Sequence, residues 1–486
     1  MTGLKASVVA AVAAASVRLY AQPSPPVRVG PTVQVSRAGS ERAHEEVYLA
    51  AHPKDPNRLL GCSIVDRDRY AERGMHAVAY VSEDGGGTWR RAVESREFNG
   101  DPMCAFAPDG RAFFVSIGTD DENWKKVNWW MEIFVSADGG LAWGPGHVRR
   151  GGDRPWLAFD PGDARRPAAT YVVYSIRTTA IDRFGVFESL RDAALPTVEV
   201  VRSTDGGRSW EKTAVGVGTG PSFPTATGAA VLSDGSLAVL WLERFMKKDE
   251  KGQDIGQEDR QTLNVTVAPP GGEIFQPSVR VADLVASRPD SGTFFSFTGD
   301  ASRGRFRDRL YVAWTDTAKP RSRILVASSS DGGKSWSAPV AVNDEPGADA
   351  SKELDDYQPT VAVNRDGAVG VSWRRRTRKD EDAEVRFALS EDGGRTWTPA
   401  FLVSKPSGPV AGGLAKAKLR PGDDGESPAS RSVKLYKGGD TAGLAADANG
   451  VFHALWADQR SGIGQVYSAA IEVESAAPPP QHISNH

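Results

Sequence analysis

Apolar positions along this chain come in short bursts, not long stripes. Ala238-Val-Leu-Trp241, Val312-Ala-Trp314, Val371-Ser-Trp373 and Ala454-Leu-Trp456 are typical. Each is rich in β-branched or aromatic side chains and follows an Asp-Gly or Pro-containing turn, which is the pattern of a short strand. A further strand runs into a glycine-rich turn, and a more polar strand such as Ala338–Asn343 follows it. No stretch holds a 3.6-residue period. The pattern predicts an all-β chain of short, turn-linked strands.

The turns repeat. Ser82-Glu-Asp84-Gly-Gly-Gly-Thr88-Trp89 returns as Ser136-Ala-Asp138-Gly-Gly-Leu-Ala142-Trp143 and as Ser203-Thr-Asp205-Gly-Gly-Arg-Ser209-Trp210. It returns again as Ser329-Ser-Asp331-Gly-Gly-Lys-Ser335-Trp336 and Ser390-Glu-Asp392-Gly-Gly-Arg-Thr396-Trp397. The aspartates are 54, 67, 126 and 61 residues apart. The long gap hides a degenerate copy, Ala268-Pro-Pro270-Gly-Gly-Glu-Ile-Phe275, with Phe in place of Trp. Gly-Gly supplies the open backbone of a tight turn, the Asp accepts hydrogen bonds from turn amides, and the Trp anchors the hairpin. Five regular copies mark Asp84, Asp138, Asp205, Asp331 and Asp392 as structural, since one active site does not need the same residue five times.

Four short strands in a unit of about 60 residues predict the blades of a β-propeller. Seven units begin near Glu46, Asp101, Asp153, Pro224, Phe297, Tyr357 and Thr441. The seventh shows three strands, ending at Gln465–Val473. Its outer strand is expected from the amino-terminal Pro31-Thr-Val-Gln-Val-Ser36, which closes the ring and removes open sheet edges. A six-bladed ring with one unit misread is the alternative. The domain reading is a secretory signal over 1–21, a linker over 22–30, the propeller over 31–474 and a disordered tail over 475–486. Lys5 followed by the apolar Ala6–Val17 carries the signal reading, and with it a secreted or periplasmic location.

Composition adds exclusions. Among 486 residues, 59 are basic and 62 acidic, for a formal charge of −3, so no basic excess points to nucleic acid. No run of 18 apolar residues follows the leader, so an integral membrane protein is not expected. Two cysteines, Cys62 and Cys104, exclude a disulfide-dense scaffold and leave either one bridge or two buried thiols. No metal, phosphate-loop or nucleophile-elbow motif occurs, and no cofactor is expected.

The octapeptide resembles the Asp box, or BNR repeat, of the sialidase superfamily. The chain resembles its secreted bacterial members, often described as exo-α-sialidase-like, over nearly all of residues 31–474. Glu46-Val-Tyr-Leu-Ala-Ala-His-Pro, Asp101-Pro102, Asp153-Arg154-Pro155-Trp156-Leu157-Ala158, Gly439-Asp440-Thr-Ala-Gly443-Leu444 and Trp456-Ala-Asp458-Gln-Arg460 carry the likeness. It implies an arginine triad for a substrate carboxylate, a Tyr nucleophile assisted by Glu, and an Asp acid-base. The superfamily's Phe/Tyr-Arg-Ile-Pro motif is missing. Its nearest counterpart, Arg154-Pro155, lies in the third unit.

Ligands of propellers bind at a channel mouth, so residues leading into the innermost strands are the site candidates. Glu45, Glu46, Asp101, Asp153, Asp300, Asp355, Asp356 and Asp440 are acidic candidates. Of these, Asp153, Asp101, Asp356 and Glu46, with Tyr357, are taken as catalytic. Arg154, Arg42, Arg374, Arg460 and Asp440 are taken as substrate-binding, with Arg303 and Asp458 nearby. Converging carboxylates raise one another's pKa and can form an acid-base pair. They could also hold Ca²⁺. Each single acid could equally cap a turn or pair with an Arg of the next blade. Tyr357 adjoins Asp356, although adjacent strand residues face opposite ways.

The expected function is hydrolysis of terminal sialic acid or another anionic sugar from a glycan or glycoconjugate, by a monomer. A non-catalytic glycan- or protein-binding propeller and a propeller-type polysaccharide lyase are the alternatives.

Overall fold

The computed structural model describes residues 27–474, apart from 66–74, 97–98, 120–128, 151, 177–178, 182–186, 190–196, 214–221, 249–253, 272–273, 286–294, 319–320, 344–353, 378–382 and 406–438. The leader (1–21) and the tail (475–486) lie outside the described residues.

The chain is a seven-bladed β-propeller of four-stranded antiparallel sheets. In blade 1, His44–Ala51 is innermost and Leu59–Val65, His76–Ser82 and Arg90–Glu94 follow outward. The inner strands of blades 2 to 7 are Asn99–Phe106, Asp153–Asp160, Ser222–Val231, Phe295–Gly299, Leu354–Val363 and Gly443–Ala446. Blade 3 adds a small hairpin, Thr179–Ile181 with Phe187–Ser189, between its second and third strands.

Blade 7 closes the ring as expected, but its outer strand starts earlier. Val27–Val29 pairs with Gln465–Val473 in the register Val27↔Val473, and Val33–Gln34 pairs further along at Ser468 and Tyr467. Val27–Val29 falls in the segment read from sequence as linker. Pro25-Pro26 obscured it, but its alternating Val-Arg-Val suits an edge strand.

The core consists of interfaces between blades, which is why the second strands are apolar on both faces. Tyr171 and Val173 of blade 3 pack with Leu237, Val239 and Trp241 of blade 4. Leu59, Val78 and Tyr80 of blade 1 pack with Leu455 and Val466 of blade 7 across the closure. The tryptophans ending the apolar bursts, Trp241, Trp314, Trp373 and Trp456, are all buried. Cys62 and Cys104 are buried free thiols between blades 1 and 2.

The octapeptides are third-to-fourth-strand turns with one hydrogen-bond plan. In blade 3, Ser203 Oγ donates to Asp205 Oδ1 at 2.8 Å and accepts the Gly207 amide at 2.8 Å. The Arg208 and Ser209 amides donate to the same carboxylate oxygen, and the Ser209 hydroxyl donates to the other. These bonds, those from Ser209 above all, hold Asp205 below the usual carboxylate range. Trp210 Nε1 closes the turn on Gly207 O at 3.2 Å. Asp84, Asp138, Asp331 and Asp392 repeat the bonds from the serine hydroxyl and the turn amide, and Trp89 and Trp143 repeat the indole bond. The paired glycines have φ near +70° to +91°, where a Cβ would be strained. In an antiparallel blade, these turns and the leading ends of the inner strands lie on opposite faces.

Candidate functional site

Four inner strands carry the same local departure at their leading end. Register shifts occur between Glu45 and Tyr48, Gly100 and Met103, Asp153 and Trp156, and Tyr357 and Thr360. Within them Glu46, Asp101, Arg154 and Gln358 take φ of 52°, 42°, 53° and 56°. Blade 7 has Gly439 at φ 84° just ahead of its inner strand. A bulge re-aims a side chain near the end of a strand. Holding a non-glycine residue in the left-handed region costs about 1–3 kcal/mol, and such strain gathers at ligand sites. At Asp101, Arg154 and Gln358 the next residue is proline, which itself disfavours a compact backbone before it.

The bulges bring together Glu46, Asp101, Asp153, Arg154 and Asp440. Arg154 Nη2 is 2.6 Å from Asp440 Oδ2, joining blades 3 and 7 across the mouth. Burial works against the Arg154 charge. The carboxylates of Asp440, Asp101, Asp153 and Glu46 more than offset it, so the guanidinium holds its proton more firmly than usual. The carboxyls of Asp101 and Asp153 share a hydrogen bond. Burial first, then the charges of Glu46 and Asp153 and that shared bond, push Asp101 well above the usual carboxylate range. Asp101 is thus a carboxylic acid carrying its proton at pH values where a free aspartate has lost it. Gly439 abuts the group: a Cβ there would lie 2.3 Å from Glu46 Cγ.

Behind this mouth lies a cavity of 310 Å³ along the axis. Its walls include Tyr48, Met103, Trp156, Phe297, Gln358 and Asp440. Tyr48 and Trp156 meet edge-on at 5.5 Å, and Trp156 Nε1 is tied to Ala226 O of blade 4 at 3.2 Å. Gln358, 2 % exposed, donates both amide hydrogens to blade 7, to Gly439 O and Thr441 O at 2.9 Å each.

The other candidates lie elsewhere. Asp356 is fully buried against Arg375, with bonds of 2.6 and 3.2 Å, and also accepts from Trp373 Nε1 and Asn343 Nδ2. It is a structural counter-ion. Tyr357 is buried between the guanidinium groups of Arg374 and Arg376, at 5.7 and 5.4 Å, so it does not work with Asp356 as nucleophile and base. Arg374 donates to Ala457 O at 2.7 Å and ties blade 6 to blade 7. Arg460 is chelated by Asp458 and stacks on Tyr467 at 4.6 Å. Arg42 bonds to His76 Nδ1 at 3.1 Å beside the amino-terminal closure. Glu45 precedes the bulge and accepts from Ser63 through its backbone carbonyl. Asp355 pairs with Arg376 and Ser322. Asp300 and Arg303 follow the inner strand of blade 5 and so lie at the opposite face.

Sequence reasoning missed Tyr48, Trp156 and Gln358 as cavity residues. Gln358 had a readable cue, because Gln358-Pro359 matches Asp101-Pro102 and Arg154-Pro155 in position. Among the described residues, no group of three or more His, Cys, Asp or Glu has the arrangement of a metal site. Among them, too, no helix is long and apolar enough to cross a membrane.

No family model matches the chain, and no curated protein does. Solved structures that resemble it include a protein of unknown function from Dyadobacter fermentans. That match has 14% identity over 92% of this chain and 99% of the other, with a TM-score of 0.48. A Hadza microbial sialidase matches at 12% identity over 82% and 74%, with a TM-score of 0.42. An α-L-arabinofuranosidase from Fusarium graminearum matches at 12% over 74% and 98%, with a TM-score of 0.46.

Proposed function

We propose that this chain is a glycan-acting propeller of the hydrolytic kind, with its acid chemistry at the channel mouth. The observation that carries the reading is the Asp101–Asp153 carboxyl pair beside Arg154, whose partner Asp440 lines the axial cavity. Glycoside hydrolysis needs a carboxyl that still holds a proton for the leaving oxygen, and a second carboxylate across the bond. Asp101 fills the first role, with Asp153 sharing its proton. Glu46 is the second carboxylate. Arg154 limits the mutual repulsion of the group.

The same balance of charge bears on the substrate. One guanidinium faces four carboxyl groups, and Asp440 already engages it. A sialic acid carboxylate would need arginines not already answered by acids. Among the described residues, only Arg154 stands in this group. The arrangement therefore favours a neutral sugar over the anionic sugar that the sequence resemblance implies.

The test is turnover of aryl glycosides by the purified chain between pH 4 and 8. Release from one or more neutral glycosides, exceeding release from the α-sialoside, is expected. Turnover of the sialoside alone would overturn the substrate reading. Turnover of none by folded protein would overturn hydrolysis and favour a non-catalytic glycan-binding propeller.

A further inference from the structure

The cavity next to the carboxyls mixes polar side chains, among them Tyr48, Ser296 and Gln358, with apolar and aromatic ones. Its 310 Å³ lies near the lower end of small-molecule pockets, which run from about 300 to 1,000 Å³. Met103, Trp156, Phe295 and Phe297 line it from blades 2, 3 and 5. Tyr48 stands two residues beyond Glu46 on the same inner strand. The charges of Arg154, Glu46 and Asp101 all act on its phenol.

The Tyr48 ring is fixed, edge-on against Trp156 at 5.5 Å, and its main-chain carbonyl accepts from Cys104 Sγ at 3.7 Å. Its hydroxyl makes no hydrogen bond to any described residue. A half-buried tyrosine hydroxyl normally finds a partner. Tyr48 lines a cavity large enough to supply one. Ser296, across the channel on blade 5, accepts the Val361 amide at 3.0 Å through Oγ, which leaves its own O–H to donate.

We infer that this cavity is an inner subsite for one neutral, polyhydroxylated sugar ring, with the Tyr48 hydroxyl as its principal polar contact and Trp156 as its wall. The chemistry fits such a ring: few and separated hydroxyl partners for its oxygens, apolar walls for its C–H faces, and no unanswered cation for an acid group. The inference rests on the proposed hydrolytic reading and deepens it. A ring seated on the axis has its scissile bond at the carboxyl mouth, so the substrate enters by a chain end and is cut from that end.

The test is binding of D-galactose and D-xylose, with N-acetylneuraminic acid as the charged comparison. Affinity is measured by calorimetry or ligand-observed NMR on the full chain. Tyr48→Phe removes only the hydroxyl. Ala442→Leu fills the cavity from blade 7. At least one neutral sugar is expected to bind. Tyr48→Phe should weaken it about three- to tenfold, as loss of a hydrogen bond between neutral groups does. Ala442→Leu should abolish it. Unchanged affinity in Tyr48→Phe, or no binding of either neutral sugar, would overturn the subsite. The two readings fail separately. Turnover that persists with an unchanged KM in Tyr48→Phe removes the subsite and leaves hydrolysis. Sugar binding that depends on Tyr48 without turnover removes hydrolysis and leaves the subsite.

Discussion

Asp101→Asn is expected to lower turnover by about 10²–10⁴-fold, the usual contribution of a positioned general acid. Asparagine keeps the shape and still bonds to Asp153, but it has no acidic proton to give to a leaving oxygen. The pH profile carries the sign. Asp101 is pushed above the usual carboxylate range by burial, by Glu46 and by the bond shared with Asp153. Its proton is present at low pH and lost as pH rises through the folded-state pKa. Wild-type activity should therefore hold above the ordinary carboxylate range and then fall on the basic side. In Asp101→Asn, that basic limb should disappear along with most of the rate. Stability follows the same direction with pH. A group whose folded pKa is raised supports the fold fully below its unfolded pKa, and the support is lost as pH rises through the folded value. At neutral pH the substitution should leave the fold as stable or more so. A folded variant with wild-type turnover would remove Asp101 from the chemistry.

Arg375→Ala is expected to destabilise the protein by about 3–5 kcal/mol, because it takes the hydrogen-bonded cation from a buried carboxylate. Asp356 is fully buried, Arg375 is 3 % exposed, and two guanidinium bonds join them. Trp373 Nε1 and Asn343 Nδ2 remain as uncharged donors, and the partly exposed Arg321 guanidinium stays 3.8 Å away, beyond hydrogen-bond reach. The urea-unfolding midpoint should fall sharply, while the double substitution Asp356→Leu, Arg375→Leu should recover part of the loss. A change below about 1 kcal/mol in the single variant would contradict the structural role of Asp356. It would also reopen that residue as a functional candidate.

The two variants separate what the sequence shows from what it hides. The octapeptides made the blades countable, since Ser, Asp, Gly-Gly and Trp each have one job in a turn repeated at a steady interval. The closure was legible because blade 7 lacked an outer strand and the amino terminus offered one, although Val27–Val29 was hidden by the prolines before it. The site was legible only in part. Glu46, Asp101, Asp153, Arg154 and Asp440 could be proposed because each leads into an inner strand. Asp356 and Tyr357 also lead into one, and the same rule placed them wrongly at the mouth. The difference is the bulge. In blade 6 it falls at Gln358-Pro359, so Asp356 stays in regular pairing opposite Arg375 and turns into the blade. One residue of register decides whether a strand side chain faces a core or a channel. Tyr48 was hidden for a related reason, because nothing in its neighbourhood distinguishes a cavity-lining tyrosine from a core one.

The account stands on a proton held between Asp101 and Asp153. Infrared spectroscopy of the carboxyl C=O stretch measures it directly, on the wild-type chain and on Asp101→Asn from pH 4 to 8. A protonated-carboxyl band should persist in the wild type well above the pH at which free aspartates ionise, and it should be missing from Asp101→Asn. A wild type with no such band above the ordinary carboxylate range, or a band that survives the substitution unchanged, would contradict it.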